Sequence, residues 1–434
     1  MSRRPLIAFF APVAPYPAPL YGGQIRVDRL LRQLLREFDV ALVCETPVVE
    51  EELAAGWEGA SDLVRIVTAP RRQLAEADLP EWGTVAASTR AALRVAVPGA
   101  LPALHDVLWS DQLVAKARQL FRELPIEGVW ASRSWMGEMA RAAGARRIHL
   151  DVDDLEGQLM LARIARDPFY KRKPLHWAQA VHLDRYERLL PKRFQGVSVC
   201  KAEDLDHFAT RTRRTVSVVP NGIDLPNTLR VAPQHGSTML FVGALWYAPN
   251  AEALSWFVRE VLPSVLKASP ETTLIVAGRG PLAPGLAAEL SRPGVELHES
   301  PESLHELYAR ASLSVAPLLT GGGTSIKVLE SLAHGVPIVA SPVAVRGLGL
   351  TAGPQLSVAS TPDEFAAACA ELLSNSDAAE RMAAAGREEV GRLLSWERAG
   401  EQARAAMRAV LEGAPMRRDH AKPAALRGVA STTH

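Results

Sequence analysis

Short apolar runs alternate with amphipathic helical stretches along almost the whole chain, and near the middle the alternation starts again. Residues 6–10 (LIAFF) lead through a proline-rich loop into VDRLLRQLLREF, whose leucines recur at helical spacing. Apolar runs at 40–44 (VALVC), 64–67, 128–131 (GVWA), 147–152 (RIHLDV) and 196–200 (GVSVC) continue a first series, with a long polar, mainly helical stretch before the last. A second series runs through 216–219, 239–242 (MLFV), 273–277 (TLIVA), 295–298, 313–317 and 337–340 (PIVA). Such runs, each followed by a helix, are what a parallel sheet needs, because every crossover returns along one of its faces. The class is α/β.

Two series of roughly 200 residues each predict two domains rather than one large sheet. The expected division is 1–212 and 213–394, with the boundary in the threonine- and arginine-rich stretch before Pro220. Residues 395–412 are expected to form a C-terminal helix that packs back on the first domain. Residues 413–434 lack periodicity and read as a disordered tail.

The net charge of +1 over 434 residues gives no global field for nucleic acid. No uncharged apolar run reaches the ~18 residues of a membrane span. Arg3 and Arg4 before LIAFFAPVA look like the start of a signal peptide, but Pro12, Pro15, Pro17 and Pro19 break any helical segment there. A first buried strand is expected instead. Cys44, Cys200 and Cys369 lie far apart, with neither zinc spacing nor a disulfide framework, which fits a reducing, cytoplasmic setting. Residues 167–193 mix Lys and Arg with aromatics. They read either as a solvated helix face or as peripheral contact with the inner face of a membrane.

The chemistry concentrates in residues 316–341, APLLTGGGTSIKVLESLAHGVPIVAS. A buried strand ends at Pro317, Gly321, Gly322 and Gly323 follow, and Thr324 and Ser325 open a helical pattern closed by Gly335. A glycine loop at a helix N-terminus offers backbone N–H groups and the positive end of the dipole to a phosphate. Lys327 in the first turn adds a point charge. Glu330, further along the helix, can accept two hydrogen bonds from a vicinal diol such as a ribose. The same residues also make a plain turn, an N-cap and a solvated Glu–Lys face, and from the residues alone both readings stand.

In the first half, Gly22 and Gly23 precede a helix expected to start near Ile25 and leave room for a phosphate or a sugar. Asp151, Asp153 and Asp154 end the strand RIHLDV, where carboxylates face the ligand crevice of an open α/β sheet. They are suited equally to holding acceptor hydroxyls and to capping the next helix. Trp130, Arg133 and Trp135 (WASRSW) line the same edge, with core packing an equal account of Trp130. His149 and His334 read as structural residues.

Taken in order, these segments resemble the family-four (group 1) glycosyltransferases, and most of all the branch with the motif G-x-G-T-x-x-K-x-L-E, seen in exopolysaccharide gene clusters. Residues 219–224 (VPNGID), 241–250 (FVGALWYAPN), 276–281 (VAGRGP) and 395–397 (SWE) agree with the family's order, as does the loop at 16–26. The resemblance implies the GT-B fold, two Rossmann-like domains facing each other across a cleft. It implies a retaining transfer from a nucleotide-diphosphate sugar to a hydroxyl acceptor, with no metal and no cofactor beyond the donor. The acceptor would be a glycan, a lipid-linked sugar or a small molecule.

Carried onto this chain, the resemblance makes Lys327 and Arg279 the charges that meet the leaving diphosphate, and the strand-end position makes Asp153 the expected catalytic carboxylate. Gly22, Gly23 and Gly243 join Gly321, Gly322, Gly323, Thr324, Ser325 and Glu330 around the donor. Asp151, Asp154 and Arg133 fall on the acceptor side. There are departures. Gly322 stands where the wider family has a glutamate, and the loop after Phe241 lacks the family's Arg and Lys. Those losses leave room for a non-catalytic GT-B partner subunit, and the fold also serves sugar-nucleotide epimerases.

Overall fold

The computed structural model describes residues 3–16, 22–46, 48–70, 100–102, 104–105, 108–166, 174–208, 215–226, 237–282, 285–320 and 324–413. Contacts divide them into two units. Unit 1 holds the residues up to Pro220 together with the segment from Trp396, and unit 2 runs from Asn221 to Ser395.

The sheet of unit 1 has seven parallel strands: β1 (Leu6–Ala11), β2 (Asp39–Glu45), β3 (Leu63–Ala69), β4 (Gly128–Ser132), β5 (Ile148–Asp151), β6 (Gly196–Val199) and β7 (Val216–Val218). Their order is β3-β2-β1-β4-β5-β6-β7. The run LIAFF is β1, every residue of it buried, between β2 and β4. Leu6 pairs with Asp39 and Ile7 with both Val40 and Gly128, so β1 has a ladder on each side.

The helices used below are α1 (Gly22–Leu35), α2 (Asp111–Glu123), α3 (Ser134–Ala143), α4 (Glu156–Arg166), α5 (Pro174–Arg188), α6 (Ala248–Trp256), α7 (Leu304–Arg310), α8 (Ile326–Ala333) and α9 (Trp396–Glu412). On one face of the first sheet α1 and α9 bury Val27, Leu30, Leu31 and Leu34 together with Ala403, Met407 and Val410. On the other, α2 and α3 cover Ala8, Phe10, Val43 and Val129. Each large aliphatic side chain so buried stabilises by about 1.5–3 kcal/mol. Arg404 donates to the Gln33 side chain at 2.7 Å, and a Cβ on Gly400 would fall 2.3 Å from Gln33 Oε1, so glycine there leaves the Gln33 side chain its place between α9 and α1.

Unit 2 has six parallel strands, β8 (Thr238–Val242), β9 (Thr273–Gly278), β10 (Val295–Glu299), β11 (Leu313–Ala316), β12 (Ile338–Ala340) and β13 (Ser357–Val358), in the order β10-β9-β8-β11-β12-β13. Its core joins Met239, Phe241, Leu274, Val276 and Val315 to Phe257 and Phe365.

Two expectations change. The run at 216–219, expected to open the second domain, forms β7 and pairs with β6 in the first sheet, Val197 facing Val216. It completes an edge that β6 would otherwise leave unpaired. Gly22 and Gly23 are not loop residues before the helix: they are the first residues of α1. Residues 17–21 and 414–434 lie outside the described residues, and so does the N-terminal part of the basic stretch, 167–173.

Candidate functional site

In both sheets the chain reverses its direction of growth beside the first strand, between β1 and β4 and between β8 and β11. Loops leaving the carboxyl ends of such a strand pair part from one another and open a crevice for a ligand. In unit 2 these are the loop after β8, residues 243–247, and the segment between β11 and α8.

α8 starts without a side-chain cap. Ser325 occupies the N-cap position, yet its hydroxyl makes no capping bond and is buried without a partner among the described residues. Val328 and Leu329 donate to the Ser325 carbonyl at 3.0 and 3.5 Å. The amides of Ile326 and Lys327 are the first-turn donors that a helix cannot satisfy itself. The helix dipole adds positive potential at the same place. Thr324 is half-buried beside them. Gly321, Gly322 and Gly323 lie outside the described residues.

The Lys327 amine donates to Asn250 Oδ1 at 2.7 Å and lies 4.2 Å from the centroid of the Phe241 ring. Gly243 makes this packing possible. A Cβ there would stand 2.7 Å from Asn250 Nδ2 and 3.0 Å from the amine itself. Desolvation lowers the Lys327 pKa to about 7, against the pull of Glu330. One turn on, desolvation raises Glu330 to about 7, opposed by the Tyr308 hydroxyl and Lys327. Tyr308, on α7, donates to Glu330 Oε2 at 3.2 Å and stacks on His334 at 4.4 Å, with 16° between the rings. His334 caps the C-terminus of α8, its Nδ1 2.8 Å from the Glu330 carbonyl.

A cation and an acid thus share one helix face, each held near neutrality by its surroundings, and an anion at the amine would restore the charge of Lys327. Arg279 follows β9 at the same sheet edge, half-buried, its carbonyl accepting from Leu245 N–H at 3.0 Å. No hydrogen bond or ion pair joins its side chain to another described residue. Asn250, Phe241 and Tyr308 were not among the residues expected from sequence. An asparagine after a proline at a helix start carries no signal that sets it apart from an ordinary turn.

In unit 1, β5 ends on Asp151, only 1% exposed. Its carboxylate takes two hydrogen bonds from Arg26, at 2.9 and 2.7 Å, and one from the Ser198 hydroxyl at 2.8 Å. Arg26 also donates to the Val219 carbonyl at 2.8 Å. Burial works against the Arg26 charge, but Asp151 and Asp153 outweigh it and hold its pKa above the ordinary guanidinium value. Ser198 lies 3.0 Å from His149 Nε2, and that imidazole stacks on Trp130 at 4.3 Å. Burial keeps His149 neutral, with its pKa down to about 3. Trp130 and Trp135 are both buried.

Asp153 and Arg133 lie nearer the surface, joined by an ion pair of 3.0 Å. Both have left-handed backbones, with φ of 64° and 76°, a conformation that non-glycine residues rarely hold without support. Arg133 also reaches Glu156 at 3.4 Å. Among the described residues Asp154 Oδ1 has no hydrogen-bond partner, and desolvation with neighbouring Asp153 lifts its pKa to about 6. Ligand atoms of Asp153, Asp154 and Cys200 come within 4.8 Å of one another. Arg26 and Arg133 stand against Asp153, and burial pushes the Cys200 thiol up, so the charge balance does not favour a cation. Cys44, Cys200 and Cys369 are all buried, free thiols.

Residues 236–375, within unit 2, match the family model of glycosyl transferases group 1. With two parallel-sheet units of Rossmann type, the chain has the GT-B fold. Sucrose-phosphate synthase from Thermosynechococcus elongatus matches with a TM-score of 0.70 at 14% identity, over 95% of this chain and 100% of that one. Anabaena HepE, solved with UDP and glucose, matches with a TM-score of 0.60 at 12% identity, over 92% and 98%. At such identities the likeness is one of fold. By sequence, an uncharacterized 44.6 kDa protein in the cps region of Klebsiella pneumoniae is 29% identical over 141 residues, 30% of this chain and 36% of that protein. The match therefore spans little more than a third of the relative. No helix among the described residues is long and apolar enough to cross a membrane.

Proposed function

We propose that the protein transfers a sugar from a nucleotide-diphosphate sugar to a hydroxyl acceptor, with retention at the anomeric carbon and without a divalent metal, in the assembly of a polysaccharide or glycolipid. The observation that carries this reading is the Lys327 amine, fixed by Asn250 in the first turn of an uncapped helix beside the β8/β11 reversal.

In the reaction the bond from the anomeric carbon to the diphosphate oxygen breaks, and a bond from the same carbon to the acceptor oxygen forms. The acceptor proton leaves with the diphosphate. Charge grows on the leaving oxygens, and a preorganised cation with helix amides stabilises it most where water is excluded. Lys327 and the α8 amides supply this, with Arg279 from the neighbouring loop. Glu330 accepts from the ribose diol, oriented by Tyr308. In unit 1, Arg133, Asp153 and Asp154 hold the acceptor hydroxyls, and Asp151 serves through Arg26 to fix that edge. The cps-region relative and the UDP-bound HepE structure support placing the donor among nucleotide sugars and the product among glycans.

The test is incubation with a panel of nucleotide sugars and hydroxyl acceptors, read by mass spectrometry, with the product anomer assigned by NMR. Transfer in the presence of EDTA with the donor's own anomeric configuration is expected. Inversion, or a strict need for a divalent ion, overturns the mechanism. Conversion of the nucleotide sugar alone into its epimer overturns the transfer itself.

A further inference from the structure

Trp246 and Tyr247 are the one adjacent pair of large apolar side chains left open among the described residues, 54% and 47% exposed. Their loop is not loose. Leu245 before them is buried and bonded through its N–H to Arg279, and Asn250 after them donates to the Ala244 carbonyl at 3.0 Å. The Trp246 indole lies against Gly280, whose φ is +83° and where a Cβ would meet indole Cδ1 at 2.1 Å. Tyr247 sets its ring edge-on to the indole at 6.2 Å. A large aromatic held out of the core by a rigid loop forgoes burial it could otherwise gain, and such residues concentrate at binding surfaces. The indole N–H makes no hydrogen bond among the described residues.

The loop is also the wall of the amine site. Gly243, three residues before Trp246, packs against Lys327 and Asn250, and Asn250 holds both the loop and the amine. A ligand anchored by its diphosphate at Lys327 brings two ring systems past this rim, each with a face for stacking. Residues 244–250 offer no cation, so what they contribute is dispersion. We propose that the exposed Trp246 indole stacks on a ring of the bound nucleotide sugar, either its base or its sugar, and so sets donor affinity and choice. This rests on the donor reading of Lys327 given above.

The experiment is isothermal titration of wild type, Trp246→Ala, Trp246→Phe and Lys327→Ala with UDP and UDP-glucose, GDP and GDP-mannose, ADP and ADP-glucose, and dTDP and dTDP-glucose. For the pair that wild type binds, Trp246→Ala is expected to weaken binding by about ten-fold, as for a lost base–aromatic stack, and Trp246→Phe to restore most of it. An equal loss for nucleotide and nucleotide sugar assigns the stack to the base. A loss confined to the nucleotide sugar assigns it to the sugar ring. Trp246→Ala that binds both members like wild type, while Lys327→Ala does not, overturns the stacking and leaves the donor reading standing. Wild type that binds none of the pairs overturns the donor reading, and the stacking with it. Melting curves should coincide for wild type and Trp246→Ala, since the ring is exposed.

Discussion

Lys327 and Asn250, 77 positions apart, are joined by a hydrogen bond of 2.7 Å from the amine to the amide oxygen. The bond gives a desolvated amine a fixed direction, and among the described residues Glu330 on the same helix is what pulls on its charge.

The first prediction is a pH dependence of donor binding. Lys327 and Glu330 both titrate at about 7 in the free protein. The diphosphate needs the amine protonated, so above that pH binding must take up a proton and affinity falls. The diol needs Glu330 ionised, so below that pH binding must release a proton and affinity falls again. Affinity for the nucleotide sugar should be bell-shaped with a maximum near neutrality, the two limbs belonging to the interacting pair. Titration calorimetry in buffers of different ionisation enthalpy measures both limbs. Lys327→Ala should flatten the alkaline one and Glu330→Gln the acid one; an affinity constant across this range contradicts the assignment.

Replacing the amine by an apolar chain separates function from stability. Lys327→Met should lower kcat/KM by about ten-fold or more, about 1.4 kcal/mol of transition-state stabilisation. The thioether can still pack on Phe241, and the desolvation of a charge disappears, so the melting temperature should hold or rise. A fall in both would make Lys327 a structural residue.

Tyr308→Phe removes the bond to Glu330 and keeps the stack on His334. A loss of about 1 kcal/mol in donor binding is expected, seen as a several-fold rise in KM with kcat unchanged. A 2′,3′-dideoxy donor should bind wild type poorly and not register the substitution. If both donors lose equally, Tyr308 supports the fold of α8 rather than the aim of its carboxylate.

The Arg26–Asp151 pair should behave in the opposite way. Both groups are almost fully buried, and removing one leaves the other charged in a poorly solvated place. Arg26→Met should cost about 3–5 kcal/mol in urea unfolding. The double variant Arg26→Met, Asp151→Leu should recover part of that. Asp153→Asn, at the more exposed ion pair with Arg133, should change stability far less and act on acceptor kinetics. Equal stability losses at Asp151 and Asp153 would erase the distinction between anchor and site.

What could be read in the sequence follows from how local each feature is. The strand–helix alternation and the glycine-to-Glu330 segment are contiguous, so their periodicity and spacing were visible. The partner of a strand is not local. The run at 216–219 has the same apolar signature whichever sheet accepts it, and only pairing with β6 decides. Asp151 could be placed at a strand end by counting, yet its commitment to Arg26, on a helix far earlier in the chain, left no trace in the spacing. Asn250 and Tyr308 act on α8 from other elements, which is why the motif showed Lys327 and Glu330 but not what holds them.

Because α9 packs on α1, the first sheet is finished by a segment that the ribosome makes only after the strands of unit 2. The described residues of unit 2 all fall between Asn221 and Ser395, while those of unit 1 are split around them. During synthesis the second sheet can close as soon as its own strands emerge, but the face of the first sheet beneath Leu30, Leu34 and Trp130 stays open until Met407 and Val410 arrive. A nascent chain therefore carries an uncovered apolar face through the making of an entire second unit. Cutting the chain before Trp396 should release a fragment with a folded second half and a sticky, protease-sensitive first half.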